Sequence, residues 1–220
     1  MALVQSQQFT GSGLRVISGR CCFLGRGILT QKWLDLRWRA PDATLRYTQL
    51  RMRVFGIDCG TEITGYGVVE MCDSGRQPKL LCHTLGAIRL AKAKPLPVRL
   101  AQVYCELNEA LARWRPDVVA VEEVFYSVNA KSALKLGQVR GVALLAAASA
   151  GLPVAEYAPL RIKSSVVGYG LAKKEQVQFM VARLLELKQI PEPPDAADAL
   201  AIAICHIHTA QTQLRQGAVG

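Results

Sequence analysis

The sequence predicts a mixed α/β fold in one main domain: a five-stranded sheet flanked by helices. Three observations predict it. Three strand-like segments follow one another through short connections, then helical and strand-like segments alternate, and no internal repeat interrupts the series. The run Asp117 to Glu123 is dominated by valine, as expected of a central strand covered on both faces. Half of the 220 residues are apolar, enough for a sizeable core and inconsistent with a wholly disordered chain.

Each element has its own warrant. Residues 1–51 hold eight basic and two acidic residues, are broken by Gly11, Gly13, Gly19, Gly25, Gly27 and Pro41, and show neither strand nor helix period. They read as a basic extension, disordered or upstream of the native start, because Met52 stands directly before the first clear strand; their arginine-rich, acid-poor composition also resembles a transit peptide. The main domain is expected over residues 52–212, with a short tail over 213–220. Arg53 to Asp58, Thr64 to Met71 and Lys79 to Leu90 read as a hairpin-linked trio of strands. Pro97 to Trp114 repeats apolar residues at helical spacing: Leu100, Val103, Leu107, Leu111, Trp114. Asp117 to Glu123 is the buried strand, Asn129 to Ala150 a long helix of small residues, and Val154 to Tyr157 a fifth strand. Lys173 to Leu187 and Asp195 to Gln211 complete the series as helices.

Composition narrows the function. The chain carries 27 basic and 17 acidic residues, a formal charge of +10, which points to an anionic partner such as nucleic acid or a membrane surface. The longest charge-free apolar-rich run, Gly141 to Ala155, falls short of the ~20 residues a membrane helix needs, so a soluble, non-membrane protein is expected. Seven cysteines, an odd number with no CxxC pair, argue against a disulfide framework or a structural zinc site and for reduced thiols in the cytoplasm.

The informative residues are acids placed where strands disfavour them. Asp58 ends Val-Phe-Gly-Ile-Asp and Glu122 ends Val-Val-Ala-Val-Glu. A buried, unpaired carboxylate costs several kcal/mol, so a cation is expected to compensate it. Asp195 and Asp198 follow a diproline, which begins a helix, and at i and i+3 they share one helix face. Taken alone, that pair also suits a capped helix with dipole-compensating acids. Brought together, Asp58, Glu122, Asp195 and Asp198 carry four negative charges, which two divalent ions balance. All-oxygen donors suit Mg²⁺, with Mn²⁺ able to substitute, and two such ions about 4 Å apart are the arrangement that hydrolyses phosphodiesters.

Cations and aromatics surround these acids in sequence. Phe125 and Tyr126 follow Glu122 closely; Phe125 is read as able to stack on an exposed base and Tyr126 as core or rim. Lys131 and Lys135 share a helix face. Arg161, Lys163, Lys173 and Lys174 flank the loop Gly168-Tyr169-Gly170 and form a candidate phosphate site. His206 and His208, two apart on a helix, do not face together and make a weak metal pair; Cys59 is too soft for magnesium and reads as structural.

Several stretches together resemble the RuvC family of bacterial Holliday-junction resolvases. They are Gly56-Ile57-Asp58-Cys59-Gly60 with Thr64-Gly65-Tyr66-Gly67-Val68; Val121-Glu122-Glu123-Val124-Phe125; Ser132-Ala133-Leu134-Lys135-Leu136-Gly137-Gln138-Val139-Arg140-Gly141; Val166-Val167-Gly168-Tyr169-Gly170; and Asp195-Ala196-Ala197-Asp198-Ala199-Leu200-Ala201. The resemblance spans about Met52 to Thr209. It implies a ribonuclease H-like fold and a homodimer that nicks opposed strands of a four-way DNA junction beside the branch-migration proteins RuvA and RuvB. It further implies that Asp58, Glu122, Asp195 and Asp198 are the catalytic, metal-binding acids, that Phe125 stacks on a base, and that Lys163 and Lys174 contact the scissile backbone. Cys59 stands where the family usually has proline, and Val128 where relatives often carry a basic residue, a role Lys131 is placed to take. Two other readings stay open: a non-catalytic junction-binding module, and a fragment of an actin-like ATPase, whose opening Asp-x-Gly this chain shares but whose two lobes it is too short to form.

Overall fold

The strand-like segments form one sheet. The computed structural model describes residues 51–73, 78–123 and 130–217, all within one compact unit. Its strands are β1 (Arg51–Asp58), β2 (Ile63–Asp73), β3 (Pro78–Arg89), β4 (Val118–Glu122) and β5 (Val154–Tyr157), and its helices are α1 (Leu96–Trp114), α2 (Ala130–Ser149), α3 (Pro159–Val167), α4 (Lys174–Leu184) and α5 (Pro194–Gly217). The sheet order is β3-β2-β1-β4-β5. The first three strands run antiparallel, as hairpin spacing demands, while β4 and β5 join parallel to β1 through helical crossovers.

Side-chain alternation gives this sheet two different faces. On β1 and β4, Val54, Val118 and Ala120 point to a core shared with α3, α4 and α5. Phe55, Ile57, Val119 and Val121 point the other way, to a core shared with α1 and α2. Both faces are therefore covered, as the all-apolar run of β4 required.

Helix α5 lies unusually close to the sheet. A Cβ added to Gly56 would fall 2.0 Å from the Ala199 carbonyl oxygen, one on Gly65 2.0 Å from the Asp195 carbonyl oxygen, and one on Gly67 2.6 Å from the Leu200 side chain. The register pairs Gly56 with Gly67 and Asp58 with Gly65, so the glycines form one seam under the helix. The alanines of α5 (Ala196, Ala197, Ala199, Ala203) are fully buried and keep that approach short.

Three differences from the sequence reading have physical causes. Arg51, assigned to the basic extension, is the first residue of β1 and pairs with Cys72. Helix α3 was not anticipated: it is nine residues long and rich in β-branched side chains, so its period is faint. Its signals are Pro159 in the first turn and Gly168 at its C-cap with φ of 97°, a left-handed value that favours glycine. Helix α5 runs to Gly217 and takes in part of the expected tail.

At the start of β1, Glu70 of β2 is 1% exposed. Arg51, Arg53 and the His83 ring all reach its carboxylate, Arg53 Nη2 at 2.7 Å and His83 Nε2 at 2.6 Å. Burial pushes this carboxyl up, but the bonds from Arg53, Arg51 and His83 outweigh it and hold it at about 2. Among the described residues no helix is long and apolar enough to cross a membrane.

Candidate active site

The acids meet because strand register and helix spacing coincide. Asp58 follows Ile57 and Glu122 follows Val121, and Ile57 pairs with Val121 across parallel β1 and β4. Asp58 and Glu122 therefore stand level at the carboxyl ends of neighbouring strands, on the α5 side of the sheet, where the sheet changes from antiparallel to parallel pairing. The glycine seam lets the first turns of α5 descend on this point. Asp198 then enters the same cleft of about 190 Å³ as Asp58 and Glu122, together with Lys163 of α3 and Lys174 of α4. Pro159, Ile162, Val177, Ala201 and Ile202 form its apolar wall.

The electrostatics are those of a site short of positive charge. Burial, then repulsion from Asp198, Glu122 and Asp195, raises the Asp58 carboxyl to about 7. Burial and the Asp198 charge also push Glu122 up, and burial pushes Asp198 up despite Lys174. Lys174 Nζ donates to Asp198 Oδ2 at 2.6 Å. Burial disfavours its ammonium, but Asp198, Asp195 and Asp58 more than offset that and raise its pKa. The donor set, carboxylate oxygens alone, suits a hard divalent ion. As the side chains stand, however, no group of three His, Cys, Asp or Glu among the described residues is close enough to hold one. An ammonium, that of Lys174, is the cation on Asp198 in this arrangement.

Other expected residues are less central. Asp195 does not line the cleft; it acts on Asp58 and Lys174 through its charge from the start of α5. Lys173 is exposed at the N-cap of α4, where its backbone N–H donates to Gln176 Oε1 at 2.9 Å. Lys135 is exposed on α2 and Arg161 stands in a separate groove across α3; neither lines the cleft. Phe125, Tyr126 and Val128 lie outside the described residues, as does the side chain of Lys131. His206 is buried with Nδ1 2.7 Å from the Tyr157 hydroxyl, and His208 Nδ1 is 3.0 Å from the Ser165 carbonyl oxygen, so the two serve separate contacts. Cys59 is half-buried, and its thiol is pushed up to about 12 by burial and by Asp58, which suits a structural residue.

One functional residue escaped the sequence reading. Arg140 Nε donates to the Glu122 carbonyl oxygen at 3.1 Å, and its guanidinium also pairs with Glu156 of β5. It thereby ties the end of β4, and so Glu122, to α2. Its signal was present, since Arg140 sits inside the Ser132–Gly141 stretch, but surface arginines on helices are too common to single out.

The family model described as crossover junction endodeoxyribonuclease RuvC matches residues 54–206, which include all four acids. The chain belongs to the RuvC family. A RuvC from Acidobacterium capsulatum is 71% identical over 165 residues, covering 73% of this chain and 96% of that protein. One from Koribacter versatilis is 60% identical over 167 residues, covering 76% and 99%. Among solved structures, Thermus thermophilus RuvC superposes with a TM-score of 0.68 at 38% identity, over 74% of this chain and 97% of that one. The same protein in complex with a Holliday junction substrate gives 0.66 at 35%, over 73% and 96%. These neighbours share the ribonuclease H-like architecture expected from the sequence. RuvC nucleases are metal-dependent enzymes.

Proposed function

We propose that this protein is a structure-specific endonuclease that resolves Holliday junctions in recombination and repair, by symmetric phosphodiester hydrolysis leaving 5′-phosphate and 3′-hydroxyl ends. The observation that carries the reading is the cleft itself. In a chain of the RuvC family, β-register and the glycine seam gather Asp58, Glu122 and Asp198 opposite Lys163 and Lys174. The family match favours neither the actin-like ATPase reading nor the non-catalytic one.

Each side chain has a task in this reading. Asp58, Glu122, Asp195 and Asp198 would hold the metal. Two Mg²⁺ ions, or Mn²⁺ in their place, would supply the Lewis acidity that activates water and offsets charge on the departing 3′ oxygen. Lys163 and Lys174 bind the scissile phosphate, Lys174 from beside Asp198. The apolar wall of Ile162, Val177 and Ile202 desolvates one side of the acids. Arg140 holds Glu122 in position. Lys131, Lys135, Arg161 and Lys173 contribute to the phosphate-binding surface, and Phe125 stacks on a base at the junction centre. The nuclease unit is a homodimer, since two identical sites match a roughly two-fold junction, and it acts in the cytoplasm beside RuvA and RuvB.

The test is incubation with a labelled, mobile four-way junction and Mg²⁺. Paired, symmetric nicks that disappear in Asp58→Asn are expected. Absence of cleavage with every divalent ion tried would overturn the reading.

A further inference from the structure

We propose that the groove between α3 and α5 is a second phosphate subsite, binding the backbone of the DNA arm that leaves the cleavage cleft across α3. The proposal rests on the nuclease reading above and extends it to a surface outside the acid cluster. The groove encloses about 500 Å³ and is lined by Arg161, Ser164, Ser165, His208, Thr209 and Thr212, with Gln213 and Gln216 at its far end. Neither wall carries a carboxylate: α3 has none, and α5 has none after Asp198. A groove whose one permanent charge is an arginine, with no acid on either wall, is complementary to an anion.

Arg161 is the anchor. Its guanidinium carbon stands 5.6 Å from the centre of the Tyr157 ring, and its Nη2 donates to Thr209 Oγ1 at 3.4 Å. The guanidinium is thus held over the groove by an aromatic face and a hydroxyl. Among the described residues no carboxylate pairs with it. An oriented, unneutralised guanidinium is the group that best recognises phosphate oxygens. Ser164 and Thr212 already donate to the Leu160 and His208 carbonyl oxygens. The Gln213 and Gln216 amides can supply further donors at the far end of the groove.

Geometry connects this groove to the cleft. Arg161 and Lys163 are two residues apart on α3, hence roughly 200° apart around the helix. Lys163 lines the cleft on one side and Arg161 the groove on the other. The helix with its side chains is about 10–12 Å across. A duplex strand advances about 3.4 Å per nucleotide along its axis, so a strand held at both sides spans about three nucleotides.

The experiment is a methylphosphonate scan, which neutralises one junction phosphate at a time near the scissile bond. Binding and cleavage are followed for the wild type, for Arg161→Gln, and for Gln213→Glu, which adds charge to the opposite wall without altering α3. Thermal melts establish that the variants fold. In the wild type, neutralising a position about three nucleotides from the cut should weaken binding about tenfold. Both variants should bind unmodified junction correspondingly less tightly, and Arg161→Gln should be insensitive to that position. If the variants keep the wild-type affinity and interference pattern, the subsite is refuted while the nuclease reading stands. If the wild type fails to cut any junction, the nuclease reading falls and the subsite with it.

Discussion

At Asp58 a single carboxyl links proton uptake to stability. Its folded pKa of about 7 lies above the ordinary 3.8, so between those values the metal-free folded state holds a proton that the unfolded chain releases. Its contribution to stability is therefore intact at low pH and lost as pH rises toward about 7. Asp58→Asn should raise the melting temperature of the chelator-treated protein above pH 7, by about 2–4 °C per kcal/mol of repulsion relieved, and change it little below pH 4. The same substitution should lower junction cleavage at least about 100-fold, the scale of losing one electrostatic contributor. At limiting Mg²⁺, cleavage by the wild type should rise with pH toward about 7, because metal must compete there with the proton on the metal-free Asp58 carboxyl. Asp58 and Glu122 were legible in the sequence because an acid at the end of an all-apolar strand contradicts propensity. Arg140 was not, since nothing in a helical arginine announces that it grips a neighbouring carbonyl.

The placement of α5 rests on Gly56, Gly65 and Gly67. Gly65→Ala would drive a methyl group into the Asp195 carbonyl, and the helix must lift. Overpacking of this kind costs about 1–3 kcal/mol. It should lower the melting temperature and, by displacing Asp195 and Asp198, cut turnover more than junction affinity. Gly137→Ala is the contrasting case: its added methyl meets nothing within 4 Å at an exposed position of α2, and should stabilise by about 0.5–1 kcal/mol. Differential scanning calorimetry of the two variants separates the cases by sign. Periodicity exposed most elements, including the valine run of β4 and the apolar spacing of α1. It missed α3, whose buried face is two side chains, Ile162 and Val166. Nor could spacing say why the glycines of β1 and β2 were there. A glycine in a strand reads as a weak point until the helix that needs its missing side chain is in view.

At the scale of the molecule, the formal charge of +10 hides an uneven layout. Residues 1–51 carry eight of the basic residues, and the remainder holds 19 basic against 15 acidic. A truncation should begin at Arg51 and not later, because Arg51 belongs to β1 and reaches Glu70. Removing residues 1–50 should flatten the salt dependence of junction binding by about 0.9 in log–log slope for each phosphate contact the extension makes. An unchanged slope would assign it no DNA role. Sedimentation of the purified protein should give twice the 24.0 kDa chain mass, as a two-fold resolvase requires. The strand β1 links two opposite electrical conditions within this molecule. It starts at a carboxylate saturated with partners and ends at one starved of them. Glu70 pairs with Arg53, and Asp58 lies five residues further on, so the two stand about 17 Å apart along the strand. Neither carboxylate shifts the other: Asp58 answers to Asp198, Glu122, Asp195 and Lys174, and Glu70 to Arg53, Arg51, His83 and Cys72. Substitutions around Glu70 should therefore change the stability that is lost as pH falls from 4.5 toward about 2, while leaving the proton affinity of Asp58 as it is.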